Sequence, residues 1–137
     1  GTLNLPGIIG LNEGLAYIES VSMENIHNHE LALTKAFLEG LQDIEHINVI
    51  GKQNLKDRTA VVSITIDGMD AASIAYELES TYHIMTRVGL HCAPRAHQTL
   101  GTYPEGTVRF SFGYANTLED VEATLSALST IAKSYKE

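Results

Sequence analysis

In this chain of 137 residues, one cysteine, two arginines and two histidines have the types and spacing to do chemistry. Cys92 is the only thiol, and it stands in the run His91-Cys92-Ala93-Pro94-Arg95-Ala96-His97, a polar setting rather than an apolar one. A free cysteine is often a small packed hydrophobe, inert in a core. Cationic neighbours and a place where strand gives way to loop are instead the setting of a nucleophile, because they favour the thiolate and let the sulfur move. Arg87 stands at the end of its own strand, just ahead of the thiol. Arg109 alternates with Val108 and Phe110, which must face a core, so its guanidinium points to the opposite face of the sheet. On a bare surface each arginine would be a solvated charge. Beside one thiol, two guanidinium forks are suited to a carboxylate, since each fork binds both oxygens at once. His91, Cys92 and His97 are also a soft donor set for zinc, but their spacing matches no standard pattern and a fourth ligand is not evident, so no metal is expected.

The elements that must position these residues follow from periodicity. Ile8, Leu11, Leu15 and Ile18 recur at 3-4-3 spacing on one face of a helix that Pro6 can open. Ser22 is placed to cap a second helix, with Ile26, Leu33, Phe37, Leu41 and Ile44 as its stripe; His27 and His29, near its start, are expected in solvent. The period then changes to two. Ile47 and Val49 mark a short strand, Val62, Ile64 and Ile66 a stronger one, and Asp67-Gly68 a turn. Asp70 caps a third helix to about Tyr82, with Ala71, Ile74, Leu78 and Tyr82 inward, and Ile84 to Val88 reads as a strand. Residues 93 to 106 show no sustained period and are broken by prolines and glycines, which reads as a long loop of the kind that often carries function. Thr107 to Phe112 alternates, with Val108, Phe110 and Phe112 on one face and Thr107, Arg109 and Ser111 on the other. Thr117 and Asp120 form a capping box for a last helix striped by Val121, Leu125, Leu128 and Ala132. The order predicts an α+β fold, a small, mostly antiparallel sheet with helices packed on one side.

Composition bounds the function. Nine Lys+Arg against 17 Asp+Glu give a net charge of -8, and that field opposes the phosphate contacts of a nucleic-acid partner. The 44% hydrophobic content comes in short pieces, with no bilayer-length run and no basic-plus-apolar leader, so neither a membrane partner nor targeting is expected. A single cysteine cannot form an internal disulfide, which fits a reducing compartment, with the cytoplasm as default.

Three segments then resemble one family. Arg87-Val88-Gly89-Leu90-His91-Cys92-Ala93-Pro94, followed by Gly106-Thr107-Val108-Arg109-Phe110-Ser111-Phe112-Gly113-Tyr114-Ala115-Asn116-Thr117, is similar to the C-terminal part of class V aminotransferase-fold enzymes, the cysteine desulfurase and selenocysteine lyase family. The opening Gly1-Thr2-Leu3-Asn4-Leu5-Pro6-Gly7 looks like the segment by which that family's chain leaves its large cofactor domain. Leu90 departs from the pattern, which commonly has a second polar residue there. The resemblance implies residues 1–21 as a connecting segment and helix, and 22–137 as the C-terminal small domain of a fold-type I pyridoxal phosphate enzyme. It implies Cys92 as the nucleophile that takes sulfur from a cysteine held on the cofactor, leaving a persulfide and releasing alanine. Arg109 would clamp the substrate carboxylate with Arg87 and His91 beside it, and Thr2 would contact the cofactor phosphate of a neighbouring subunit. It further implies a homodimer, a sulfur-acceptor protein and cysteine or selenocysteine as substrate. The family's His-Lys Schiff-base motif is not in this sequence, so the chain is expected to be inactive alone. Two other readings remain: a class V aminotransferase or selenocysteine lyase relative, and a non-catalytic α+β association module with Cys92 simply packed.

Overall fold

The computed structural model describes residues 1–134, so Lys136, one of the five lysines, lies outside the described residues. The elements run α1 (Leu5–Val21), α2 (Met23–Leu41), β1 (Ile47–Ile50), β2 (Val61–Ile66), α3 (Ala71–Tyr82), β3 (Arg87–Gly89), α4 (Pro94–Leu100), β4 (Thr107–Ser111) and α5 (Leu118–Ser134). The four strands form one antiparallel sheet in the order β1-β2-β4-β3, so β4, last in sequence, is inserted between β2 and β3. The expected α+β architecture is the one observed.

Alternation puts Val62, Ile64, Ile66, Val108 and Phe110 on one sheet face, and all five are buried there against α2, α3 and α5. Phe37 of α2 is fully buried, its ring 5.0 Å from that of Phe110 and 5.1 Å from that of Phe112. From α3 come Ala71, Ile74 and Leu78, and from α5 Val121, Ala127, Leu128, Ile131 and Ala132. Leu125, expected in that last stripe, packs only at its edge and is half-buried. Among the described residues no helix layer covers the opposite sheet face, where Ser63 and Arg109 are half-buried.

The caps follow the sequence. Ser22 accepts a hydrogen bond from the Asn25 N–H (3.2 Å), Asp70 from the Ser73 N–H (2.9 Å), and Thr117 and Asp120 exchange the reciprocal pair of a capping box. Asn4 and Pro6 open α1. The α1 stripe forms as the spacing predicts but is not covered: α1 buries no residue, and Ile8, Leu11, Leu15 and Ile18 are all exposed. His27 is exposed, but His29 is not in solvent as expected; its Nε2 lies 2.9 Å from the Asn116 carbonyl and its ring packs edge-on against Tyr114.

Two departures concern the segment around Cys92. The strand expected at Ile84 to Val88 is instead Arg87–Gly89, because the Ile84 N–H is spent on the Leu78 carbonyl (2.9 Å), closing the end of α3. Residues 93 to 106 are not all loop: Pro94 opens the short helix α4, and Gly101, at φ 74°, ends it. The one buried residue of α4 is His97, a polar type, so no apolar period marked the helix.

Candidate functional site

The register of the sheet builds the site. Arg87 on β3 and Arg109 on β4 are directly opposed partners, and Arg109 is also opposed by Ser63 on β2. Opposed residues share a face with Cβ atoms roughly 5 Å apart, so the two arginine side chains leave the sheet from adjacent positions on the face away from the core. Like charges in that position destabilise a sheet unless an anion lies between them. The Nε of Arg109 is buried and has no hydrogen-bond partner, and the Arg109 side of the pair makes no salt bridge among the described residues. An unpartnered buried donor is one that a ligand can satisfy. Arg87 donates through Nη2 toward the Cys92 sulfur at 3.9 Å, and Cys92 is exposed. The arrangement thus offers a fork for a carboxylate with an accessible sulfur beside it.

The sulfur is carried by a tight turn. The Ala93 N–H donates to the Leu90 carbonyl (2.8 Å), and the two residues between, His91 and Cys92, are both left-handed, at φ 50° and 60°. Ahead of the turn Gly89 has φ 101°, and across from it Gly106 has φ 80°. A Cβ on Gly106 would overlap the Gly89 carbonyl group, so the two ends of the 89–106 excursion touch through backbone alone. Gly106→Ala is therefore expected to lower stability by about 2 kcal/mol or more, from left-handed strain plus the clash. Urea unfolding checks this, and an unchanged midpoint would show that the contact carries no load.

That excursion covers one end of the open sheet face. Thr107, expected there alongside Arg109 and Ser111, is 1% exposed because the His91 ring lies over it, with Nε2 3.1 Å from the Thr107 hydroxyl. His97 is also buried, and its Nδ1 lies 2.7 Å from the Thr102 hydroxyl. The two histidine rings are 5.7 Å apart. Sequence reasoning did not find Thr102 and Thr107, since a threonine in a loop or on a polar strand face carries no signal until its partner is folded over it.

Desolvation, then the charges of Arg109, His97 and Arg87, hold the His91 imidazole below its ordinary range of about 6.5. The unfolded chain therefore binds this proton more readily than the folded one. His91 contributes its full stability above about pH 6.5 and loses part of it as pH falls through that value toward the lower folded midpoint. In urea titrations at stepped pH, the wild type should lose stability against His91→Gln on acidification across this window. Parallel curves would contradict a neutral, desolvated ring.

Thr2, by contrast, lies exposed in the segment ahead of α1 and shares no hydrogen bond with the residues around Cys92. The described lysines lie on other elements: Lys35 is on α2, Lys52 and Lys56 lie between β1 and β2, and Lys133 is near the end of α5. A pyridoxal phosphate site needs a lysine amine and a phosphate cradle, so these residues do not fit that cofactor by themselves; they fit the carboxylate side of such a site. Among the described residues no three His, Cys, Asp or Glu side chains are grouped to hold a metal ion, and no helix is long and apolar enough to cross a membrane.

Residues 1–124, which include the turn-borne thiol and the two opposed arginines, match the model of the aminotransferase class-V family. The chain belongs to that family. It is 38% identical over 136 residues to a probable cysteine desulfurase of Pyrococcus abyssi, covering 99% of this chain and 33% of the relative, and 36% identical over 128 residues to one from Pseudomonas putida, covering 93% and 30%. Among solved structures it is similar to the apo cysteine desulfurase of Thermococcus onnurineus, with a TM-score of 0.90 and 38% identity over 98% of this chain and 32% of that one. The chain thus spans about a third of the length of the relatives it matches.

Proposed function

We propose that this chain is the small-domain part of a pyridoxal phosphate-dependent cysteine desulfurase, supplying the sulfur-accepting thiol and the substrate-carboxylate site. The observation that carries the reading is the direct opposition of Arg87 and Arg109, with the Cys92 sulfur 3.9 Å from the first. Arg109, with its unsatisfied Nε, receives the carboxylate of a cysteine or selenocysteine, and Arg87 supports the same anion. Gripped there, the substrate has its side chain within reach of the exposed Cys92 sulfur. The Cys92 sulfur attacks the substrate sulfur; a sulfur–sulfur bond forms as the carbon–sulfur bond breaks. The bonding pair leaves with carbon, which takes up a proton to give alanine. Pyridoxal phosphate, when bound, supplies the electron sink that makes that bond labile. The persulfide, on a turn rather than in a core, is then open to a sulfur-acceptor protein.

Residues 1–21 form the connection to a large domain that provides the Schiff-base lysine. The support is α1 itself: a helix whose Leu5, Ile8, Ile9, Leu11, Leu15 and Ile18 are all exposed needs cover from elsewhere in the polypeptide. In that reading Thr2 contributes its hydroxyl to the cofactor phosphate across a homodimer, and the reducing cytoplasm keeps the single thiol free. Incubating the full-length protein with cysteine and cofactor should give alanine and a one-sulfur mass gain on the peptide containing Cys92. The 137-residue chain alone, lacking the lysine, should give neither. Alanine without the mass gain would reject the reading.

A further inference from the structure

We infer that His91 is a positioning residue, its ring tying the turn that carries Cys92 to the buried hydroxyl of Thr107 and so fixing the sulfur relative to Arg109. The inference rests on the reading of Cys92 as the sulfur acceptor. Turns with both central residues at positive φ ordinarily take Asn-Gly or Gly-Gly, because side chains disfavour that backbone. Here the pair is His91-Cys92, at φ 50° and 60°, so the surroundings must hold what local preference does not. One restraint on the turn from outside it is the hydrogen bond between His91 Nε2 and Thr107 Oγ1 (3.1 Å).

The location of that bond gives it a purpose. Thr107 and Arg109 are two apart on β4 and so share a face, while Thr107 is opposed by Gly89 and Arg109 by Arg87. One hydrogen bond thereby sets the sulfur-bearing turn against the strand that bears the carboxylate fork. The ring of His97 on α4, its Nδ1 2.7 Å from the Thr102 hydroxyl, lies 5.7 Å from that of His91 and packs beside it. Nε2 is committed to Thr107, while Nδ1 is buried with no hydrogen-bond partner, so the positioning role is carried by Nε2.

Thr107→Val removes the hydroxyl at nearly constant shape, and Thr107→Ser keeps it. In the full-length protein the valine variant should lose about tenfold in kcat for alanine release with KM for cysteine changed by less than about twofold, since the fork is untouched while the sulfur is displaced; serine should restore most of the rate. Should Thr107→Val not fold, the same contrast is expected between His91→Leu and His91→Gln, which retains a hydrogen-bonding nitrogen. A second readout needs no turnover: with 15N-labelled histidine, the His91 ring resonances should shift in Thr107→Val and return in Thr107→Ser. An active enzyme whose kcat is indifferent to Thr107→Val, or equally impaired by valine and serine, overturns the inference and leaves the desulfurase reading standing. If the wild type forms no persulfide, that reading falls instead. The ring resonances then decide the Thr107–His91 tie, which an unchanged spectrum in Thr107→Val would refute.

Discussion

Cys92→Ala should abolish persulfide formation in the full-length protein, with alanine release from cysteine falling by about a thousandfold or more. Removing the nucleophile from a covalent route leaves only binding and electrostatics to accelerate the reaction, and such losses are among the largest single residues produce. The fold should be indifferent: Cys92 is exposed and packs into no core cluster, so the variant's thermal midpoint should match the wild type. That pairing is what makes the result informative, because lost activity with unchanged stability cannot be assigned to unfolding. Mass spectrometry of the peptide spanning residue 92, beside an alanine assay, reads both parts. A variant that still releases alanine and sulfide at the wild-type rate would remove Cys92 from the chemistry and favour the reading of this chain as an association module.

Arg109→Lys should raise KM for cysteine by about 10- to 100-fold while changing kcat much less. The charge survives, but the planar fork does not, and a charge-assisted hydrogen bond that cannot be made is worth roughly 1.5–3 kcal/mol. Grip on a carboxylate remote from the breaking bond is shared by ground and transition states, so its loss appears mainly in KM. Stability gives an independent check. Arg109 lies opposite Arg87 across β3 and β4, a like-charged pair that a sheet selected for stability alone would avoid. Replacing Arg109 by methionine should therefore leave the thermal midpoint unchanged or raise it, even as cysteine binding is lost. A lower midpoint with an unaltered KM would make the arginine structural.

Much of this architecture was legible in the sequence because it is set by local rules. The period of 3.6 in α2, α3 and α5 and the alternation in β2 and β4 each name the face that must be buried, and Ser22, Asp70 and the Thr117–Asp120 pair name where helices begin. Where the reading slipped, hydrogen bonds that leave no mark in the hydropathy pattern had taken over. Helix α4 has no apolar stripe because its inward residue is His97, whose partner is the Thr102 hydroxyl. Strand β3 starts late because the backbone of Ile84 is used by α3. Thr107 lies under His91 where alternation alone predicts an open face, and His29 is held by Asn116, which is distant in sequence.

The site divides in the same way. Cys92, Arg87 and Arg109 were found as types in suggestive settings, since thiol, guanidinium and strand alternation are properties of single residues and short windows. That Arg87 and Arg109 oppose each other depends on the register in which β4 pairs with β3, and register belongs to the folded sheet. The left-handed turn at His91-Cys92 is likewise outside local preference and exists because Thr107 and the Gly89–Gly106 contact hold it. Residue chemistry and periodicity are written one window at a time, whereas the distance between two guanidiniums and a sulfur is decided only when separate windows meet.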